Sequence, residues 1–297
     1  MSGRGFEPDE ARALIREQLG LEPVAVERMP YGHFNVTYDV ALPDGRRVIV
    51  RTNRDPRPMR GARNNLPILR NLGLPVPRLL AAGEHWLILE KIPGRDLGHE
   101  LDGMSREQMT RLAEQVVSFE RRAAALPPAE GYGWRPIGEP GRYPSWGALI
   151  DHDLEKNLAR TRDLLPEGLE ARFLRRAHEL GADFASVPPT PFLDDLTTKN
   201  VIVERGELRG IVDFDVICYG DPRYWLGLTR TAVLSTNRPE AAFYVDELLR
   251  LWGATERDRG VVGYYSAIFG LDFIAYGRSR ALPTETLRFL LDLAAEF

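Results

Sequence analysis

The hydrophobic period of this chain shifts at Pro93-Gly94 from mainly strand-like to mainly helical, and that shift points to folds with a sheet on one side and helices on the other. Before it, Val24–Met29, Asn35–Leu42, Arg47–Thr52 and Trp86–Ile92 are short, β-branched or alternating, and broken by turn residues such as Pro43-Asp44-Gly45. Helical patterns at Glu7–Leu19 and Met59–Leu72 flank or interrupt them. After it, helical periods run over Arg106–Leu126, Trp146–Leu165, Leu169–Phe184, Pro239–Trp252, Gly260–Tyr276 and Glu285–Phe297. One strand pair is expected among them, Val201–Glu204 with Leu208–Phe214, and an irregular loop over Pro127–Pro144. The expected architecture is α+β: a small β-rich N-terminal lobe, 1–93, and a larger helical C-terminal lobe, 94–297.

The net charge of −4 over 297 residues hides a split at that joint. Residues 1–93 carry 14 basic and 11 acidic side chains, +3, and residues 94–297 carry 25 and 32, −7. Neither lobe has the basic surplus of a nucleic-acid coat. A single cysteine, Cys218, forms no internal disulfide, and the five histidines show no metal-ligand spacing. No signal-type apolar stretch opens the chain and no run approaches the roughly 18 apolar residues of a spanning helix, so a cytoplasmic protein with no membrane partner is expected. Only three lysines are present, Lys91, Lys156 and Lys199, so chemistry that wants a lysine has three candidates.

The passage that carries chemistry is Phe192-Leu193-Asp194-Asp195-Leu196-Thr197-Thr198-Lys199-Asn200, followed by Gly210-Ile211-Val212-Asp213-Phe214. An acid, an amide five positions later and a second acid thirteen further on bring three oxygen-bearing side chains to one end of a hairpin. Hard oxygens are what Mg²⁺ takes, one or two from the protein and the rest from phosphates and water. The remaining aspartate is then available to accept a hydroxyl proton.

Asp195, Asn200 and Asp213, with the trailing Gly220-Asp221-Pro222, resemble the catalytic loop and metal-binding aspartate of the aminoglycoside phosphotransferase and choline kinase superfamily, relatives of protein kinases. The resemblance implies a bilobal kinase-like fold, with Asp195 as the base and Asn200 and Asp213 holding Mg²⁺ against nucleotide phosphates. In that family a His-Gly pair usually precedes the base, and here Leu193-Asp194 stands there. Asp194 is an alternative base in a shifted register, but only Asp195 keeps the five-residue interval to Asn200. Asp215, two residues past Asp213, is either a substrate contact, a support for the site or a solvated loop acid.

In the N-terminal lobe, Pro30-Tyr31-Gly32-His33-Phe34-Asn35 lies where kinases place a phosphate-covering loop; with Gly32 its one glycine, an ordinary hairpin turn explains it equally. In Val48-Ile49-Val50-Arg51, Arg51 stands where the superfamily presents a phosphate-binding lysine or arginine, and its fixed charge and paired donors suit phosphate. The helix glutamate that usually partners this cation aligns with Asn65, which leaves at best a hydrogen bond. Pro67 in the same helix is tolerable if the helix begins near Asn64 or Asn65. Trp86–Gly94 resembles the hinge, where adenine would meet backbone groups near Glu90 and Ile92; a plain core strand accounts for its composition as well.

The aromatic series Tyr264, Tyr265, Phe269, Phe273 and Tyr276 reads as core or pocket wall, and Asp221 as a cap for a following helix or a brace of the catalytic loop. Asp272, within that series, is the acid most expected to meet an acceptor. The function expected is Mg²⁺-dependent transfer of a phosphoryl group from ATP, or GTP, to a hydroxyl of a small polar molecule. The acidic C-terminal lobe points to an aminoglycoside-like or amino-alcohol acceptor. The alternative, motivated by Leu193-Asp194 and Asn65, is a nucleotide-binding module with little or no catalysis.

Overall fold

The structure is a computed structural model describing residues 5–30, 35–278 and 282–297. The chain packs as two units, Met1–Gly94 with Arg209–Val216, and Arg95–Leu208 with Ile217–Phe297. Gly94 thus ends the first stretch, and the segment carrying Asp213 and Asp215 returns to pack with the N-terminal residues.

The first unit contains α1 (Pro8–Leu19), β1 (Ala25–Arg28), β2 (Val36–Ala41), β3 (Arg47–Thr52), α2 (Pro56–Asn71), β4 (Leu79–Ala82) and β5 (Trp86–Glu90). Its antiparallel sheet has the order β1-β2-β3-β5-β4. Ala11, Leu14 and Ile15, one face of α1, pack on Tyr38, Val40, Val48, Val50 and Ile88 of the sheet. Because side chains alternate along a strand, burying Val48, Val50 and Thr52 on the α1 side sends Arg51 to the other face.

Helix α2 starts three residues before the expected Met59 and eight or more before Asn64. Asp55 Oδ1 accepts the Arg57 backbone N–H at 3.0 Å, and Pro56 occupies the first helical position, where its missing N–H is no loss. Pro67 therefore lies inside the helix, which runs through it to Asn71.

The second unit contains β6 (Arg95–Asp96), α3 (Leu97–Glu100), α4 (Arg106–Ala123), β7 (Gly133–Arg135), α5 (Trp146–Thr161), α6 (Leu169–Glu179), α7 (Gly181–Ala185), β8 (Thr190–Phe192) and β9 (Val201–Glu204). There follow β10 (Glu207–Ile211), β11 (Ile217–Gly220), α8 (Arg223–Thr236), α9 (Ala242–Trp252), α10 (Glu256–Arg278) and α11 (Thr284–Ala294). The chain passes into the first unit within β10 and returns at β11. Helix α10 packs on α8, α5 and α11. Tyr264 and Tyr265 are fully buried in it, and Trp146 Nε1 donates to the Tyr265 hydroxyl at 2.7 Å.

Three features depart from expectation. A second small sheet, β7-β11-β8, lies where only one strand pair was foreseen, and β7 falls inside the expected loop. The Leu208–Phe214 strand stops at Ile211, leaving Asp213 outside regular structure. Helix α8 shows no apolar stripe because it is buried nearly all round, through Tyr224, Trp225, Leu226, Gly227, Thr229, Thr231, Ala232 and Val233. Among the described residues no helix is long and apolar enough to cross a membrane.

Candidate active site

In the first unit the structure brings together Arg51, Asp213 and Asp215. The Arg51 guanidinium donates to Asp213 Oδ1 at 2.8 Å and to Asp215 Oδ2 at 2.6 Å. Asp213 keeps 52% of its side chain exposed and Asp215 18%, so one carboxylate faces solvent and the other is largely enclosed. Burial pushes the Asp215 carboxyl up to about 6; the guanidinium opposes that shift and Asp213 adds to it. The Asn35 amide lies against both Arg51 and Asp215, and is itself bonded to Asn53.

Asp213 has φ of 72°, a left-handed conformation that a residue other than glycine adopts at a cost. The neighbouring backbone is held from α2. Asn65 Nδ2 donates to the Phe214 carbonyl at 3.0 Å and to the Asp215 carbonyl at 3.1 Å. Gly61, one turn earlier, lies so close that a Cβ there would run into the Asp215 carbonyl oxygen. Asn65 thus secures the segment that carries both acids, a role whose partners are 149 and 150 residues away in sequence.

In the second unit Asp195 and Asn200 share one loop. Asp195 is exposed, with Oδ1 accepting the Thr197 hydroxyl at 2.7 Å. Asn200 Nδ2 donates to the Asp195 carbonyl at 3.0 Å, and Asn200 N–H to the Thr197 carbonyl at 3.2 Å. The Gly98 N–H donates to the Thr198 carbonyl at 3.0 Å.

The two residues that replace His-Gly are also tied down. The Leu193 N–H donates to Glu120 Oε2 at 3.1 Å, and Trp134 Nε1 donates to Asp194 Oδ2 at 2.5 Å. Glu120 is buried, which pushes its carboxyl well above the usual range, and its Oε1 has no hydrogen-bond partner among the described residues. Glu120 and Trp134 were not singled out in the sequence, since nothing local marks an acid on α4 or a tryptophan in a loop as partners of residues 193 and 194.

Trp134 also lines a cavity of about 160 Å³ with Asp153, Lys156, Tyr224, Phe269 and Asp272. Asp153 is buried and accepts the Tyr224 hydroxyl at 3.0 Å; burial raises its carboxyl above the ordinary value. Asp272, with 40% of its side chain exposed, sits 3.7 Å from Arg160. Phe269 packs on Tyr224, with ring centroids 4.6 Å apart.

Each unit, taken by itself, carries an oxygen of the kind that Mg²⁺ takes. With its nitrogen committed to the Asp195 carbonyl, Asn200 has Oδ1 left as an acceptor, and Asp213 offers an exposed carboxylate. Such an ion needs no cage of protein acids, and among the described residues no cluster of three or more His, Cys, Asp or Glu side chains is placed to form one.

Of the expected nucleotide contacts, Gly32 lies outside the described residues. Glu90 ends β5, where its N–H donates to the Arg78 carbonyl at 2.9 Å and its side chain accepts from Arg78 at 3.1 Å. Ile92 packs over Gly210. Asp221 accepts the Arg223 backbone N–H at 3.0 Å at the start of α8, along with the Tyr265 hydroxyl at 2.7 Å.

A β-rich sheet unit, a helical unit and an Asp-x₄-Asn loop define a kinase-like phosphotransferase fold, and solved structures share it. The GDP and kanamycin complex of APH(2″)-IIIa superposes with a TM-score of 0.71 at 16% identity, covering 97% of each chain. A thermostable mutant of aminoglycoside phosphotransferase APH(4)-Ia, in its apo form, gives 0.65 at 17%, over 96% of this chain and 97% of that one. A fructosamine-3-kinase homologue from Thermobifida fusca YX-ER1, assigned that activity provisionally, gives 0.60 at 19%, over 96% and 99%. No curated protein sequence matches the chain. Residues 26–262 match the model of the phosphotransferase enzyme family APH. The chain belongs to that family, and is a small-molecule phosphotransferase acting on hydroxyl groups.

Proposed function

We propose that this protein transfers the γ-phosphoryl group of ATP or GTP to a hydroxyl of a small amine-bearing molecule, an amino alcohol or an aminoglycoside-like compound. The acceptor O–H gives its proton to Asp195; its oxygen bonds to the γ-phosphorus as the bond to the β,γ-bridging oxygen breaks, releasing the nucleoside diphosphate. Asn200 Oδ1 and the Asp213 carboxylate would hold Mg²⁺, which when bound neutralises charge on the phosphates. Arg51 would hold the phosphates, the chain near Gly32 would cover them, and backbone groups near Glu90 and Ile92 would meet the base.

The observation that carries this reading is the Asp195 loop: an exposed carboxylate on a backbone tied to Asn200 at 3.0 Å, with its neighbour Asp194 bound by the tryptophan that lines the cavity. Asp153, Asp272 and the aromatic walls of that cavity support a cationic acceptor, which both carboxylates and ring faces attract. The nucleotide and aminoglycoside complexes among the solved structures support the same substrate classes.

The test is a transfer assay with ATP and with GTP over amino alcohols, aminoglycosides and neutral polyols. Amine-dependent formation of a phosphate ester is expected. Transfer confined to neutral polyols overturns the acceptor class, and nucleotide binding without ester formation on any acceptor overturns the phosphotransfer reading.

A further inference from the structure

Kinases of this architecture use a glutamate on the helix after β3 to orient the phosphate-binding cation, and this chain has Asn65 there. Arg51 nevertheless has its carboxylate. Asp215 Oδ2 is 2.6 Å from the guanidinium, is largely enclosed, and lies two residues past Asp213, on a segment held by α2. We propose that Asp215 takes over the positioning role of the absent helix glutamate, orienting Arg51 toward nucleotide phosphates while Asp213 remains free to change partners.

Three observations support the division of labour between the two acids. Asp213, with 52% of its side chain exposed, can exchange the guanidinium for another cation, whereas Asp215, at 18%, has no comparable access to solvent. The Asp215 backbone is fixed at its carbonyl by Asn65 at 3.1 Å and by the close approach that Gly61 permits. The helix has therefore kept its place in the device and changed its means: it no longer supplies the charge but grips the backbone that does. Arginine suits this arrangement better than lysine, since a planar guanidinium can hold a carboxylate on one edge and present remaining N–H groups elsewhere.

The proposal rests on the reading that Arg51 contacts phosphate, and the experiment separates the two. Dissociation constants for ADP and for adenosine, measured without metal by calorimetry on the full chain, are compared among the wild type, Arg51→Ala, Asp215→Asn and Asp215→Glu. Asp215→Asn is expected to weaken ADP about tenfold, the equivalent of about 1.4 kcal/mol, with adenosine affinity unchanged, and Asp215→Glu to recover most of the loss. Kinetically, the nucleotide KM should rise with the acceptor KM unmoved. If Arg51→Ala weakens ADP but Asp215→Asn leaves it unchanged or strengthens it, Asp215 is not the positioning group. Equal loss of ADP and adenosine in Asp215→Asn means a merely structural role and overturns the proposal as well. If Arg51→Ala itself spares ADP, the underlying phosphate reading falls first.

Discussion

Glu120 Oε2 accepts the backbone N–H of Leu193 at 3.1 Å inside the helical unit, so a buried acid on α4 holds the residue two before Asp195. Burial raises the Glu120 carboxyl well above its ordinary value of 4.5, and Asp194 adds to the shift. A carboxyl raised in the folded state stabilises the fold fully below the unfolded value. That contribution is lost as pH rises from there through the folded value, because the folded protein then holds the extra proton. Glu120→Gln keeps an oxygen for Leu193 without the titration. Its stability relative to the wild type should therefore increase as pH rises above about 4.5, read as urea midpoints over a pH series. A constant difference across pH would remove Glu120 from the titration. Glu120→Leu, which also removes the titration but leaves the Leu193 N–H without an acceptor, should be less stable than Glu120→Gln by about 1–3 kcal/mol at any pH.

Asp195 and Asp194 differ in how they are committed, and that separates their variants. Asp195→Asn should lower kcat about 10²–10⁴-fold with nucleotide affinity largely retained, as loss of a proton acceptor requires. Asp194 is engaged by Trp134 Nε1 at 2.5 Å, so Asp194→Asn and Trp134→Phe should resemble one another, each disturbing the loop's position far less than loss of the base. Single-turnover rates distinguish them; near-wild-type turnover in Asp195→Asn would transfer the role elsewhere.

Residues whose partners are close in sequence were legible, and residues whose partners are far were not. The interval from Asp195 to Asn200 was readable because one loop contains both, and Arg51 was singled out by the resemblance of Val48–Arg51 to a phosphate-binding strand, a position whose side chain the structure puts off the core face. The replacement for the missing glutamate was not, because Asp215 meets Arg51 across 164 residues and looks like an ordinary acid after a strand. Helix α8 was foreshadowed only by Asp221 as a cap for a following helix, because burial hides its period: Thr231, which bonds Ser266 at 2.9 Å, occupies a core position that hydrophobic periodicity reads as surface. The start of α2 was available in Asp55-Pro56, but the apolar spacing begins later and drew the boundary inward.

Asp213, the proposed Mg²⁺ ligand, adopts a backbone conformation that favours glycine, with φ of 72°. Asp213→Gly should therefore remove the Mg²⁺ dependence of nucleotide binding while raising stability by about 1 kcal/mol or leaving it unchanged. Asp213→Val, β-branched and without the carboxylate, should lose both. Magnesium titrations of nucleotide affinity beside thermal unfolding curves test this, and an unchanged magnesium response in Asp213→Gly would refute the ligand role.

Gly61 and Asn65 act on the same backbone from one face of α2, so they should fail in related ways. Gly61→Ala inserts a Cβ where the Asp215 carbonyl lies, and relief requires moving either the helix or the segment that carries Asp213 and Asp215. Ordinarily Gly→Ala in a helix interior stabilises by about 0.5–1 kcal/mol; here the sign should reverse. Asn65→Ala removes both side-chain donors to the Phe214 and Asp215 carbonyls and should weaken nucleotide binding less than Asp215→Asn does. Unfolding midpoints together with ADP affinities check both, and a stabilised Gly61→Ala variant with wild-type ADP affinity would show that the contact is not needed.

The cavity acids should act on the acceptor and on nothing else. Asp272 is half exposed with Arg160 at 3.7 Å, so its field on a bound cation is screened, and Asp272→Asn should raise the acceptor KM only a few-fold, by about 1 kcal/mol. Asp153 is buried beneath the Tyr224 hydroxyl, and Asp153→Asn retains an acceptor for it, so the fold should survive while affinity for an amine-bearing acceptor falls. Kinetics with an amino alcohol and its deaminated counterpart give the discriminating measurement. Both substitutions should raise KM for the amine alone, leaving kcat and the nucleotide KM near wild type; equal effects on the two acceptors would mean that the carboxylates shape the cavity without reading charge.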